Sequence, residues 1–282
     1  MSYYKLLGLN KEPFLTTPDP EFFYESKEHK AALLRLIIEI RLRRGLSLIL
    51  GDVGTGKTTL SRKLFQMCKE REDIIFHMIL DPTYETEEIF LDSLIRTFGI
   101  SLSITNPSIL DYKEAVKKYL FEKGVEEKKT VVLLIDEAQK LNVLSLEILR
   151  VLLNYETNEY KLLQLVLLAQ LEILPRIKEM RNFTDRISLK YVLNPLDEEE
   201  TGEMIKFRLR KAGYNSKVSF FTDEAIKEIY RYTKGYPRKI AMICHEALKY
   251  LVMENKSIVD LSLIHISEPT RPLYISYAVF CL

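Results

Sequence analysis

Gly51-Asp52-Val53-Gly54-Thr55-Gly56-Lys57-Thr58, followed by Thr59, spells G-x-x-x-x-G-K-[ST]. The apolar run Leu46-Ser47-Leu48-Ile49-Leu50 precedes it and the helix-like stretch Thr59 to Lys69 follows, the strand, loop and helix context in which this pattern cradles phosphates. Its glycines let the backbone curl so that successive N–H groups point inward, with the positive end of the next helix behind them. Lys57 then reaches the β and γ phosphates of a nucleotide, and the Thr58 hydroxyl holds Mg²⁺.

A second group sits where Val131-Val132-Leu133-Leu134-Ile135 runs into Asp136-Glu137-Ala138-Gln139. Five consecutive apolar residues read as a strand covered on both faces, as in a parallel sheet. Two carboxylates at the end of such a strand are costly to bury unpaired, so a cation is their natural partner. Asp136 is assigned to the Mg²⁺ shell, and Glu137 to orienting and polarising an attacking water.

These residues need elements to position them. Ile74 to Leu80 reads as a strand, as do Leu163 to Ala169 and Ile187 to Leu193. Helical spacing occupies Glu87 to Phe98, Lys113 to Glu122 and Leu146 to Asn154, and such alternation predicts an α/β sheet. From Pro195 strands stop, and Glu198 to Ala212, Asp223 to Tyr232 and Pro237 to Glu254 read as helices. Four spans follow: residues 1–45 as an N-terminal segment and helix flanking the nucleotide site, 46–194 as the phosphate-loop core, 195–260 as a small helical domain, and 261–282 as a tail.

The 282 residues are 47% hydrophobic and 29% charged, with a net charge of +1. That suits an enzyme with a sizeable core and gives no electrostatic footprint for nucleic acid. Arg41, Arg43 and Arg44 end a helix, where cations meet the helix dipole, which leaves DNA as a partner without support. Cys68, Cys244 and Cys281 show neither metal nor disulfide spacing, and His29 and His245 lack acidic neighbours at useful spacing and read as structural. Met1-Ser2-Tyr3-Tyr4-Lys5 has no signal-peptide core. A cytoplasmic location is the default, with the inner-membrane face reached through a region beyond Asp260 as the alternative.

The span from Tyr3 to about Asp260 resembles AAA+ ATPases of the general secretion pathway protein A (ExeA) and MshM type. The resemblance rests on Glu12-Pro13-Phe14, Thr17-Pro18-Asp19-Pro20 with Phe23-Tyr24, the two phosphate motifs, and Gly235-Tyr236-Pro237-Arg238. It implies an α/β P-loop NTPase (AAA+) fold: a parallel sheet with helices on both faces, followed by a small all-helical lid. It also implies ATP with Mg²⁺ as ligand, ATP hydrolysis, homo-oligomers and a protein partner in an envelope assembly. Gln170 resembles the polar sensor of the γ-phosphate, although Ala169-Gln170-Leu171-Glu172 stands where the family tends to have Gly-Gln-Pro-Glu. Arg238 resembles the arginine that couples lid to nucleotide. Arg186 is the first candidate for an arginine finger acting on a neighbouring subunit, with Arg181 second and salt bridging as the alternative for both. Tyr24 or Phe14 packs on the adenine or, equally, within the core. A regulator of DNA transactions of the transposition type is the alternative function, and a switch without hydrolysis is opposed by Glu137.

The tail resembles a translated sequencing adapter. Leu261 to Arg271 corresponds to a transposase-type library adapter and Ile275 to Leu282 to a flow-cell end, with Pro272-Leu273-Tyr274 in the place of an index. On that reading the tail is an artefact with no face to bury.

Overall fold

Strands without polar alternation must be covered on both sides, and the three inner strands of the sheet obey this residue by residue. In the computed structural model, which describes residues 2–266 apart from 18, 103, 105 and 217, five parallel strands lie in the order β2-β3-β4-β1-β5. They are β1 (Leu46–Gly51), β2 (Ile74–Ile79), β3 (Thr130–Ile135), β4 (Leu163–Ala169) and β5 (Ile187–Leu193). Every residue of the three inner strands is buried, whereas edge strands β2 and β5 are only partly covered. The chain divides into two compact units, Glu25–Asn194 and Met1–Tyr24 with Pro195–Leu282.

The helices, in chain order, begin with α1 (Tyr3–Leu6), α2 (Lys27–Arg41), α3 (Lys57–Lys69), α4 (Glu87–Phe98), α5 (Ile109–Phe121), α6 (Val143–Leu152), α7 (Ile173–Glu179) and α8 (Arg181–Thr184). Leu48, Leu133 and Leu167 share a core with Phe90, Leu94, Val116 and Leu149 of α4, α5 and α6. Their neighbours Ile49, Leu134 and Leu168 are equally buried and point to the opposite face, on the side where α2 and α3 pack. Two helices start earlier than their apolar spacing predicts. Ser108 and Asp111 form a capping box that begins α5 at Ile109, and Asn142 accepts from the Ser145 N–H to begin α6 at Val143.

The second unit continues with α9 (Glu198–Lys211), α10 (Asp223–Thr233), α11 (Pro237–Met253) and α12 (Leu261–Ile266). Its core takes Leu9, Phe14 and Phe22 from the N-terminal segment, so the 1–45 span does not stay together. Residues up to Tyr24 belong with the later helices, while α2 buries Leu33, Leu36 and Ile40 in the sheet unit. Phe14 is 1% exposed and meets Phe221 edge-on at 6.1 Å, which decides for core packing rather than adenine stacking. Tyr24 donates to Glu203 and its ring tilts against Phe207 at 6.0 Å.

His245 does have an acidic neighbour, supplied from far along the chain. Its Nδ1 lies 2.9 Å from Glu12 Oε1 and 3.1 Å from the Tyr3 hydroxyl, and burial, with Glu12 next to it, pushes the Tyr3 phenol upward. Gly235 has φ +75°, and a Cβ there would overlap the Leu196 carbonyl oxygen. Only glycine fits at that turn. No described helix is long and apolar enough to cross a membrane.

The expectation that the tail has no face to bury does not hold for residues 261–266. Val259 bridges to Phe221 and returns the chain to the helical core, and from there Leu263 and Ile264 of α12 are fully buried where α12 meets α10 and α11. Residues 267–282 lie outside the described residues, as does Pro18. Burying a large aliphatic side chain is worth about 1.5–3 kcal/mol. A chain ending at Asp260 therefore unfolds at lower temperature than the parent. Equal melting midpoints in calorimetry would show that α12 contributes nothing.

Candidate nucleotide site

The strand order explains why the motif residues meet. With β4 between β3 and β1, the loops leaving the C-terminal ends of β1, β3 and β4 share one edge of the sheet. Glu25–Asn194 supplies all of them.

Gly51 ends β1 and Lys57 begins α3, with Gly56 at φ +96° as the residue before the helix. Lys57 is 6% exposed, and its Nζ donates to the carbonyls of Gly51 at 2.7 Å and Asp52 at 2.9 Å. The Thr55 hydroxyl donates to the Asp52 carbonyl at 2.9 Å, closing the loop on itself. Burial pushes the Lys57 ammonium below its ordinary value, opposed by Glu137, Asp136 and Asp52. Asp136 is 1% exposed and shows the converse: burial raises its carboxyl, opposed by hydrogen bonds from the Thr58 hydroxyl and the Glu137 N–H and by the Lys57 charge. Thr58 and Asp136 thus bring a hydroxyl and a carboxylate to the same place. That pair suits a hard cation, and the residues present fit Mg²⁺ and a phosphate chain.

Glu137 adopts φ +52° and ψ +35°, a left-handed conformation uncommon for a residue with a side chain. Its Oε2 accepts from Gln139 Nε2 at 2.7 Å. Gln139 in turn accepts the Gln170 backbone N–H at 3.1 Å. Gln170 therefore stands just past β4, tied through its backbone to the loop that carries Glu137. Arg176 of α7 donates to the carbonyls of Gln139, at 3.1 Å, and Leu141.

Three of these contributors were not legible as site residues. His29, read as structural from its sequence neighbours, is 2% exposed and lies 2.9 Å through Nε2 from the Thr55 carbonyl. A carbonyl only accepts, so Nε2 carries the proton, and Nδ1, 2.7 Å from Ser26 Oγ, accepts from that hydroxyl. A Cβ on Gly56 would stand 2.8 Å from His29 Nε2, so the imidazole fills the space behind the loop. Ser26 three residues before His29, a helix-start pair, was the one available signal. Gln139 and Arg176 offered none beyond polarity.

The arginines occupy other places. Arg186 donates to the Asn182 carbonyl and, at 2.6 Å, to Asn154 Oδ1. It lines an open pocket of about 270 Å³ with Arg44, Lys161 and Asp185 beside the starts of β1 and β5, away from the phosphate loop. Arg181 is exposed as the first residue of α8, and Arg238 is exposed one residue after Pro237 in the other unit. Arg43 is consumed structurally: it donates to Thr130 Oγ1 at 3.0 Å and the Lys128 carbonyl at 2.8 Å and lies 4.4 Å over the Tyr160 ring.

Residues 40–177 match AAA_22, a family described as an AAA domain. General secretion pathway protein A of Aeromonas hydrophila is 35% identical over 248 residues, which cover 87% of this chain and 44% of that protein. The chain carries an AAA domain and has the AAA+ fold. It spans less than half the length of the curated relatives it matches. Among solved structures, Cdc6p from Pyrobaculum aerophilum superposes with a TM-score of 0.67 at 17% identity, over 88% of this chain and 70% of that one. The RuvB Holliday junction branch migration motor of Thermotoga maritima gives 0.57 at 15% identity, over 86% and 68%. At such identities these two structures share the AAA+ fold with this chain.

The His29 contact generates an expectation. Removing one partner of a buried hydrogen bond costs about 1–3 kcal/mol, here levied on the loop between β1 and α3. His29→Ala lowers thermal stability by that order and weakens ATP binding measured by titration calorimetry, while Ser26→Ala does so less. Unchanged affinity in His29→Ala sinks the assignment of the imidazole to loop support.

Proposed function

We propose that this chain binds Mg²⁺-ATP at the C-terminal edge of its sheet and hydrolyses it, as an assembly or remodelling factor for a secretion or pilus system. The observation that supports hydrolysis is the convergence of Lys57, Thr58, Asp136 and Glu137 from the C-terminal ends of β1 and β3, which flank β4, with Lys57 and Asp136 each favouring the charged form of the other. The 35% identity to General secretion pathway protein A supports the secretion setting. The alternative, a regulator of DNA transactions, loses one of its three clustered arginines to the structural role of Arg43.

Bound Mg²⁺-ATP supplies the phosphoryl group and a divalent charge. Lys57 neutralises phosphate oxygens, and the backbone N–H groups between Gly51 and Thr59, through Asp52, Val53, Gly54, Thr55 and Gly56, bind them. Thr58 and Asp136 hold the cation. Glu137 orients the attacking water and takes its proton, and Gln170 senses the phosphate end from β4. Arg186 and Arg238 supply positive charge during transfer, Arg186 towards a neighbouring copy in a homo-oligomer.

Lys57→Ala abolishes ATP binding and turnover, whereas Glu137→Gln keeps binding and loses on the order of 10²–10⁴-fold in kcat. Parent rates in Glu137→Gln remove the assignment of Glu137. Mixing Arg186→Ala with Lys57→Ala protein restores part of the lost activity, because a mixed interface then contains one intact site. A mixture no more active than its components argues against Arg186 acting between copies.

A further inference from the structure

The amide of Gln139 is held at both ends. Its Nε2 lies 2.7 Å from a carboxylate oxygen of Glu137, and its Oε1 lies 3.1 Å from the backbone N–H of Gln170. A carboxylate can only accept and a backbone N–H can only donate, so the amide has one orientation and cannot be flipped without losing both bonds. At 8% exposure there is little water to replace either one. The backbone of the same residue is fixed too, since its carbonyl accepts from Arg176 of α7 at 3.1 Å.

The constraint matters because Glu137 stands on strained backbone. A left-handed residue with a Cβ costs roughly 1–2 kcal/mol, and such a conformation persists only where its surroundings impose it. Lys140 N–H bonds to the Glu137 carbonyl at 2.9 Å, and the Glu137 N–H bonds to Asp136 Oδ1 at 2.9 Å. These fix the main chain of Glu137 and leave its side chain to Gln139. The bond from Gln139 restrains the carboxylate, and the bond to Gln170 makes that restraint follow the tip of β4.

We infer that Gln139 is a positioning residue that aims the Glu137 carboxylate and couples its aim to the position of the β4 tip at Gln170. The inference rests on the reading of Glu137 as the water-orienting group. A misplacement of about 1 Å in a reacting group costs on the order of 10²-fold in rate, so the effect belongs in kcat and not in nucleotide affinity.

The test uses the full chain with Mg²⁺-ATP and three measurements: kcat, KM and the calorimetric Kd for ATP, with the melting midpoint as a check on folding. Gln139→Leu, similar in size and unable to hydrogen-bond, lowers kcat at least tenfold while Kd stays within about twofold of the parent. Gln139→Glu is the second variant, measured at pH 8 so that its carboxyl is ionised. It keeps an acceptor for the Gln170 N–H but faces Glu137 with like charge, and it loses kcat to the same degree. Parent kcat in either variant overturns the inference, and so does a loss of kcat accompanied by an equal loss of affinity or by unfolding in both. Glu137→Gln separates the two levels. If it turns over at the parent rate, the reading of Glu137 fails, whereas an inactive Glu137→Gln beside a fully active Gln139→Leu removes only the role of Gln139.

Discussion

The sheet edge depends on keeping an ammonium and a carboxylate charged where there is little water. Lys57 and Asp136 are both almost fully buried, and burial disfavours the charged form of each. Each lowers the other's cost, since opposite charges at close range favour both ionised forms. Neither is left to that attraction alone. Lys57 spends its donors on the Gly51 and Asp52 carbonyls, and Asp136 receives the Thr58 hydroxyl and the Glu137 N–H. Such a pair suits a ligand that brings both phosphate and a divalent cation, one for each charge.

That balance holds only if the loops bearing the two charges keep their places, and different elements secure each one. The phosphate loop is backed by α2, whose His29 fills the volume that a side chain at Gly56 would need. The Asp136 loop is secured from β4 and α7, through the Gln139 amide and the Arg176 guanidinium. Both supports come from outside the motifs that they hold. The motif residues supply charge, and the supports supply direction.

This division decides what could be read from the sequence. The phosphate loop, the Asp136-Glu137 pair and all five strands were legible because their signals are local: glycine spacing, and apolar runs whose length matches buried strands. Strand order was not legible, since nothing in Leu163 to Ala169 says that it lies between β1 and β3. His29 was invisible because its partner Thr55 is 26 residues away, and no local pattern marks an imidazole that will face a carbonyl. His245 was misread for the same reason, its acid being Glu12. The starts of α5 and α6 lie ahead of their apolar spacing, because Ser108-x-x-Asp111 and Asn142 cap them there. The burial of Leu263 and Ile264 could not be judged from the segment's own stripe, since the helical core that covers them is built from residues between Leu9 and Val259.

The residues behind the family resemblance divide along the same line. Glu12, Phe14, Asp19 and Gly235 all turn out to serve construction within one unit: a polar contact with His245, a core ring against Phe221, a cap on the turn at Pro20–Phe22, and a turn that closes on Leu196. None of these four carries chemistry itself. They are recognisable because tight packing tolerates few alternatives at such points, whereas a catalytic loop is recognisable because its ligand tolerates few. The N-terminal segment therefore identifies the build of this chain, and the two phosphate motifs identify its chemistry. Arg238 belongs to neither argument by itself: it is exposed beside Gly235-Tyr236-Pro237, so the turn is explained by packing while the arginine is not.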